Sequence, residues 1–201
     1  MRKKPLTSLA RNTDGIAAIE FALLAPVIFG IYFGVTVISL AIAADRDLSH
    51  ATNVIADLAT QETELSKTGI ENIMSAGVAV LGVNKSRYDQ NRITLELISF
   101  EKESGTINQV GYARLGPDIG TYNTAKLSAN DRLLSENSGV VVARIVYKYD
   151  MPIGKSVDFK LSETFLLKPR KSETVPFGTG TSGGNSFTSC GVGTDMAVSG
   201  C

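Results

Sequence analysis

The chain has 201 residues with 20 basic and 20 acidic side chains, so its formal net charge is zero. That balance excludes a polybasic nucleic-acid binder, and the length suits one modest folded domain plus an accessory segment. One histidine and two cysteines provide no metal-ligand set of useful spacing.

The charge is unevenly placed. The first fifteen residues carry Arg2, Lys3, Lys4 and Arg11 against Asp14 alone, and the remainder holds 16 basic and 19 acidic side chains. An apolar run follows from Ile16 to Ala44, with Glu20 as its only charge. About 20 apolar residues suffice to cross a bilayer as a helix. A core helix of a soluble protein would need apolar cover all round, which the remaining residues are too few to supply. The run therefore reads as a transmembrane segment, with the basic end cytoplasmic and the chain from Asp45 onward on the other side.

Three fates fit such a segment. A secretory signal would be cut at Ala41-Ile42-Ala43, releasing a chain that begins at Ala44. A permanent anchor would hold a periplasmic scaffold or binding protein and stay uncut. In the third, a leader ending in Gly15 is removed on the cytoplasmic side and Glu20 becomes the fifth mature residue.

The stretch G-I-A-A-I-E-F, Gly15 to Phe21, carries the third possibility. It resembles the G-x-x-x-x-E-[YF] form of Flp pilins and TadE-like minor pseudopilins of the tight-adherence (Tad) system. "VVVARIVYKYDMPIG" and "VDFKLSETFLLKPRK", which ends on Lys168-Pro169-Arg170, are similar to the late TadE pattern. That pattern usually has Arg where Lys168 stands. The resemblance covers residues 10–60 and 138–171. It implies a minor pilin or pseudopilin, a structural subunit and not an enzyme, in the bacterial inner membrane and the extracellular pilus. It implies processing at Gly15, Ile16, Glu20 and Phe21. The implied partners are membrane lipid, a prepilin peptidase, the major pilin and other minor pilins, and the pilus assembly platform. No cofactor, nucleic acid or small-molecule substrate is implied.

Within the run, Pro26 is expected to bend the helix. Gly30 and Gly34 form G-x-x-x-G, a small-residue face for helix packing in lipid. Beyond Arg46, Leu48, Ala51, Ile55, Leu58 and Ala59 recur with helical spacing. A single helix from Ile16 to about Gln61 would be roughly 69 Å long and continue past the membrane as an amphipathic spine. His50 reads as a solvated residue on it.

Thr68-x-x-Glu71 reads as a capping box for a second helix whose apolar face is Ile70, Ile73, Met74, Gly77, Val78 and Leu81. Asn84 to Asn91 reads as a turn region, and Asn84-x-Ser86 as part of it. Ile93, Leu95 and Leu97 alternate with Thr94 and Glu96, which suits a strand. A weaker strand is expected at Ile107 to Ala113, a break at Gly116-Pro117, and a short helix from Ala125 to Leu134. Val141, Ala143, Ile145, Tyr147 and Tyr149 share one strand face. Val157, Phe159, Leu161, Phe165 and Leu167 share another, interrupted by Glu163. Pro152-Ile153-Gly154 joins the two strands as a hairpin. Tyr147 and Tyr149 read as sheet-face packing, with partner contact as the alternative.

The expected fold is α+β, a small antiparallel sheet packed on the outer part of the long helix. The expected divisions are a leader at 1–15, a span at 16–44, a periplasmic domain at 45–171 and a tail at 172–201. The tail is rich in Gly, Ser and Thr and reads as exposed. Gly180-x-Ser182-x-Gly184 and Gly178-x-Gly180-x-x-Gly183 fall in it and match catalytic patterns only by composition. Cys190 and Cys201, in an oxidising compartment, are expected to form a disulfide closing a loop of about 12 residues.

Overall fold

A computed structural model of the chain describes residues 15–82, 92–128, 133–150, 158–178, 186–192 and 198–199. The elements in chain order are α1 (Ile16–Thr60), α2 (Lys67–Val80), β1 (Ile93–Glu103), β2 (Thr106–Leu115), α3 (Ala125–Ser128), β3 (Ser138–Asp150), β4 (Asp158–Leu167), β5 (Ser186–Val192) and β6 (Val198–Ser199). The chain divides into two units between Ile42 and Ala43.

The first unit is the apolar part of α1. From Ile16 to Ile42 the helix rises about 40 Å, more than the roughly 30 Å hydrocarbon core of a bilayer. Its large apolar side chains face outward, from Ile16 at 57% exposure through Leu23 at 75% to Ile42 at 50%. The helix is long and apolar enough to cross a membrane, with a mean hydropathy of 2.3 over its most apolar stretch.

The second unit is an α+β fold. Strands β4, β3, β1 and β2 form a four-strand antiparallel sheet in that order, which β5 and β6 extend beyond β2. Strand β5 runs parallel to β2, an addition to the purely antiparallel sheet expected. One face of the sheet carries the main core. There Leu48, Ala51, Ile55, Ala56 and Ala59 of α1 meet Ile70, Ile73, Met74 and Val78 of α2 over Leu95, Leu97, Val141, Ala143 and Ile145. Both helical faces read from the sequence are the buried ones. Gly77 lets α2 come close: a Cβ there would lie 2.6 Å from Ile55 Cγ2 and 2.7 Å from Leu95 Cδ2.

The opposite face of the sheet is also covered, by Tyr122, Leu127 and Leu134 packed on Ile98, Phe100, Val140 and Val142. Strand β1 is therefore buried on both faces over its first eight residues, Thr94 and Glu96 included. The alternation in the sequence marks it as a strand, but its polar face is not solvated. Gly116 reverses the chain after β2 with φ +95°, where a Cβ would run into the Ile93 carbonyl.

Several sequence expectations are corrected. Ser66, not Thr68, caps α2: its Oγ accepts from Gly69 N at 3.1 Å, and Thr68 lies inside the helix. Helix α3 is described over Ala125–Ser128, and Leu133 and Leu134, the last residues of the expected helix, are not helical. The start of the expected exposed tail is core. Val175 and Phe177 are buried, and Phe177 fills the space above Gly111. Backbone bonds hold this segment at Leu65 N to Pro176 O (3.0 Å), Gly178 N to Leu65 O (2.8 Å) and Phe177 N to Val110 O (3.3 Å). Composition hid it because two well-placed apolar side chains suffice where the backbone has partners. The turn at Asn84 to Asn91, Val157, the Pro152-Ile153-Gly154 connection and the glycine motifs around Ser182 lie outside the described residues. So does Cys201, so the expected disulfide is not placed, although the Cys190 backbone belongs to β5.

Candidate membrane and assembly helix

The residues of the G-I-A-A-I-E-F stretch form the first turns of α1. The Gly15 carbonyl accepts the first helical bond, from Ile19 N at 3.1 Å. Gly15 has open space around it: nothing lies within 4 Å of the position a Cβ would take. Ile16, Glu20 and Phe21 are all exposed on the helix surface. Glu20 is one turn from Ile16, about 6 Å along the axis. Its carboxylate therefore stands at the entrance of the apolar stretch, not at its centre.

Further along, the helix continues through Pro26 without interruption. Proline has no N–H, so the Ala22 carbonyl lacks its usual helical donor there. Gly30 and Gly34 leave a shallow open strip with nothing within 4 Å of either Cβ position. Phe29 and Phe33 stack at 6.4 Å, and Tyr32 meets Phe33 edge-on at 5.6 Å. Thr36 Oγ1 donates to Tyr32 O and Ser39 Oγ to Val35 O, each at 2.8 Å. These hydroxyls are satisfied within the helix, as a lipid environment requires. His50 is exposed on the part of α1 that belongs to the folded unit.

At its other end α1 is tied into the sheet by Arg170. The Arg170 N–H donates to Thr60 O at 2.9 Å, and its guanidinium pairs with Asp57 Oδ1 at 2.5 Å. Gln61 Nε2 donates to the other oxygen of Asp57 at 2.8 Å. A cation at the last turn of a helix also meets its unpaired carbonyls favourably. This gives Lys168-Pro169-Arg170 a physical role that spacing alone did not disclose.

A second polar arrangement was not foreseen. Glu96 is 1% exposed and pairs with Arg144 at 2.8 Å across β1 and β3. Tyr112 donates to its other oxygen at 2.8 Å, and Arg144 also donates to Gly120 O at 3.1 Å and lies over the Tyr122 ring. Burial, followed by the Glu96 hydrogen bond, pushes the Tyr112 phenol up to about 12. Burial also raises the Tyr122 phenol. The signal was present in the sequence: Arg144 stands between Val142 and Val146 on one face of β3, a charge flanked by apolar side chains. Its partner becomes identifiable only once β1 and β3 are in register.

The whole is therefore a folded α+β unit following one helix able to span a bilayer. Residues 15–57 match the family model described as TadE-like protein, from Gly15 through the apolar helix to Asp57. No match is found among curated proteins or among solved structures.

Proposed function

We propose that the chain is a structural subunit, a minor pilin or pseudopilin, of a Tad/Flp-type pilus. The observation that carries this is the exposed apolar helix entered by Gly15 and Glu20, within the segment that is TadE-like. In this reading a prepilin peptidase cuts after Gly15 while the helix is in the bacterial inner membrane. The folded unit lies on the periplasmic side. The subunit then leaves the bilayer by packing its helix against those of the major pilin and other minor pilins at the assembly platform. Its role is mechanical and not catalytic.

Glu20 has a task in this scheme. A carboxylate at the centre of a spanning helix costs about 2.5–3.5 kcal/mol on insertion scales, less near the interface. Near the entrance it stays within reach of the headgroups. Cleavage exposes an α-amino group with a reference pKa of about 7.7–8.0, mostly protonated at neutral pH. Among staggered helices, Glu20 of one subunit neutralises the new ammonium of another where water is scarce. Gly30 and Gly34 supply a face for close helix approach, and Pro26 a weak point in the backbone.

Two substitutions separate the steps. Gly15→Leu is expected to block processing. Glu20→Ala is expected to leave insertion and much of the processing intact while pilus assembly falls. Assembly at the normal level by Glu20→Ala would overturn the pairing role.

A further inference from the structure

The run from Ile16 to Ala44 carries three hydroxyl groups, on Tyr32, Thr36 and Ser39. Two of them are satisfied within the helix: Thr36 Oγ1 donates to Tyr32 O and Ser39 Oγ to Val35 O. The Tyr32 phenol makes no hydrogen bond among the described residues. Its side chain is 65% exposed, with the ring met edge-on by Phe33 at 5.6 Å. Its depth makes the missing bond matter. The hydrocarbon core takes about 20 residues of helix, and wherever a stretch of that length falls between Ile16 and Ala44, Tyr32 lies inside it. A hydroxyl at that depth has no water or headgroup to bond, and leaving it unpaired is costly.

The same helix holds a backbone acceptor without its usual donor. Pro26 lies inside α1 and has no N–H, so the Ala22 carbonyl loses its partner one turn on. In membrane helices a carbonyl freed by proline is met by hydroxyl side chains or by a neighbouring helix. Within this helix no hydroxyl is available to it. Thr36 and Ser39 are engaged, and Tyr32 stands ten residues on, about 15 Å along the axis. Donor and acceptor therefore cannot meet in one copy. They also face different ways. Ala22, Pro26, Gly30 and Gly34 follow one another at a spacing of four, with open space at both glycines. Tyr32 is about 160° around the helix from Gly34 at 3.6 residues per turn.

We propose that the Tyr32 phenol donates to the Ala22 carbonyl of a second, parallel copy of this chain. An antiparallel pair would satisfy both groups at once, but the basic leader gives every copy the same orientation in the membrane. Parallel copies meet the requirement only by sliding. The second copy is displaced toward the C-terminal end of the first by about 15 Å, less the lean of the tyrosine ring toward its own helix N-terminus. The pairing of Glu20 with a neighbour's α-amino group needs a slide in the same sense. Each copy donates from one face and accepts on another, so the contact does not close on itself and repeats as an open chain. Such a contact deepens the pilin reading and rests on the membrane placement of α1.

Two substitutions isolate the bond. Tyr32→Phe removes only the phenol hydroxyl, and Pro26→Ala returns a backbone N–H to the Ala22 carbonyl, so together they form a double-mutant cycle. Full-length chains with donor or acceptor fluorophores fused at the C-terminus are co-expressed in the inner membrane of a bacterial host without other pilins. Energy transfer in the parent is expected to exceed that of a non-associating single-span control. Tyr32→Phe and Pro26→Ala should each weaken association by roughly three- to tenfold, and Tyr32→Phe should have no further effect once Pro26→Ala is present. p-Azidophenylalanine in place of Tyr32 should cross-link to residues 22–26 of another copy. Losses that add, no loss in either variant, or no transfer in the parent would overturn the inference. So would adducts near position 32 of the other copy, the mark of an in-register pair, or adducts with lipid alone. Co-expression of a prepilin peptidase, with the N-terminal residue read by mass spectrometry, tests the pilin reading separately. A chain left uncut at Gly15 counts against that reading and leaves the coupling result standing.

Discussion

Glu96 and Arg144 face each other across β1 and β3 with 2.8 Å between Oε2 and Nη1, the carboxylate 1% exposed and the guanidinium 16%. Both sit on the sheet face away from α1 and α2, under the segment that carries Gly120 and Tyr122. The pair is held by more than charge, since Tyr112 and the Gly120 carbonyl occupy further positions around it. Removing one partner of a buried pair costs about 3–5 kcal/mol, chiefly because the other charge is left uncompensated. Glu96→Ala is therefore expected to destabilise the folded unit by about that amount in denaturant titrations in detergent. Glu96→Leu combined with Arg144→Met is expected to cost clearly less than the two single changes added together. Additive losses would mean the two side chains act independently.

The same site predicts a pH dependence. The Tyr112 phenol ionises near 10 in the unfolded chain and near 12 when folded, because burial and the Glu96 carboxylate disfavour its anion. A pKa raised on folding contributes stability that is complete below the unfolded value and lost as pH climbs through the folded one. The denaturation midpoint should therefore fall between about pH 10 and pH 12 more steeply in the parent chain than in Tyr112→Phe. Parallel curves for the two proteins would contradict the assignment.

Gly77 makes a sharper test of the core. Replacing a helical glycine by alanine ordinarily gains about 1 kcal/mol of helix propensity. Here the new methyl would meet Ile55 and Leu95 well inside contact distance, and overpacking a filled core costs about 1–3 kcal/mol. Both neighbours are fully buried side chains. Gly77→Ala should lower the unfolding midpoint; a midpoint at or above that of the parent would show that α2 can shift away from the sheet.

Much of this architecture is legible in the sequence where one physical signal dominates. The apolar run of α1, the helical spacing of Leu48 through Ala59, and the alternation in β1 and β3 each impose an element whatever the rest of the chain does. The failures occur where a distant partner decides. The burial of Glu96 was not legible because alternation says nothing about what covers the second face, and Tyr122, Leu127 and Leu134 cover it from far along the chain. Val175 and Phe177 were hidden in a glycine-rich composition, yet the backbone bonds at Leu65 and Val110 make them core. Ser66 displaced Thr68 as the cap because the helix begins two residues earlier than the capping-box pattern implied. At the candidate site, Gly15 and Glu20 were legible as a motif, whereas the hold of Arg170 on Asp57 and Thr60 required the fold.

The central claim is that the apolar helix belongs to a pilin-like subunit matured at Gly15. Its most direct test is the N-terminal residue of the protein isolated from cells that express a prepilin peptidase, read by mass spectrometry of the terminal peptide. The account predicts a chain beginning at Ile16, with Glu20 as its fifth residue, and retention of the full-length form when the peptidase is removed. A chain that keeps its leader in the presence of the peptidase, or one that begins at Ala44, would contradict it.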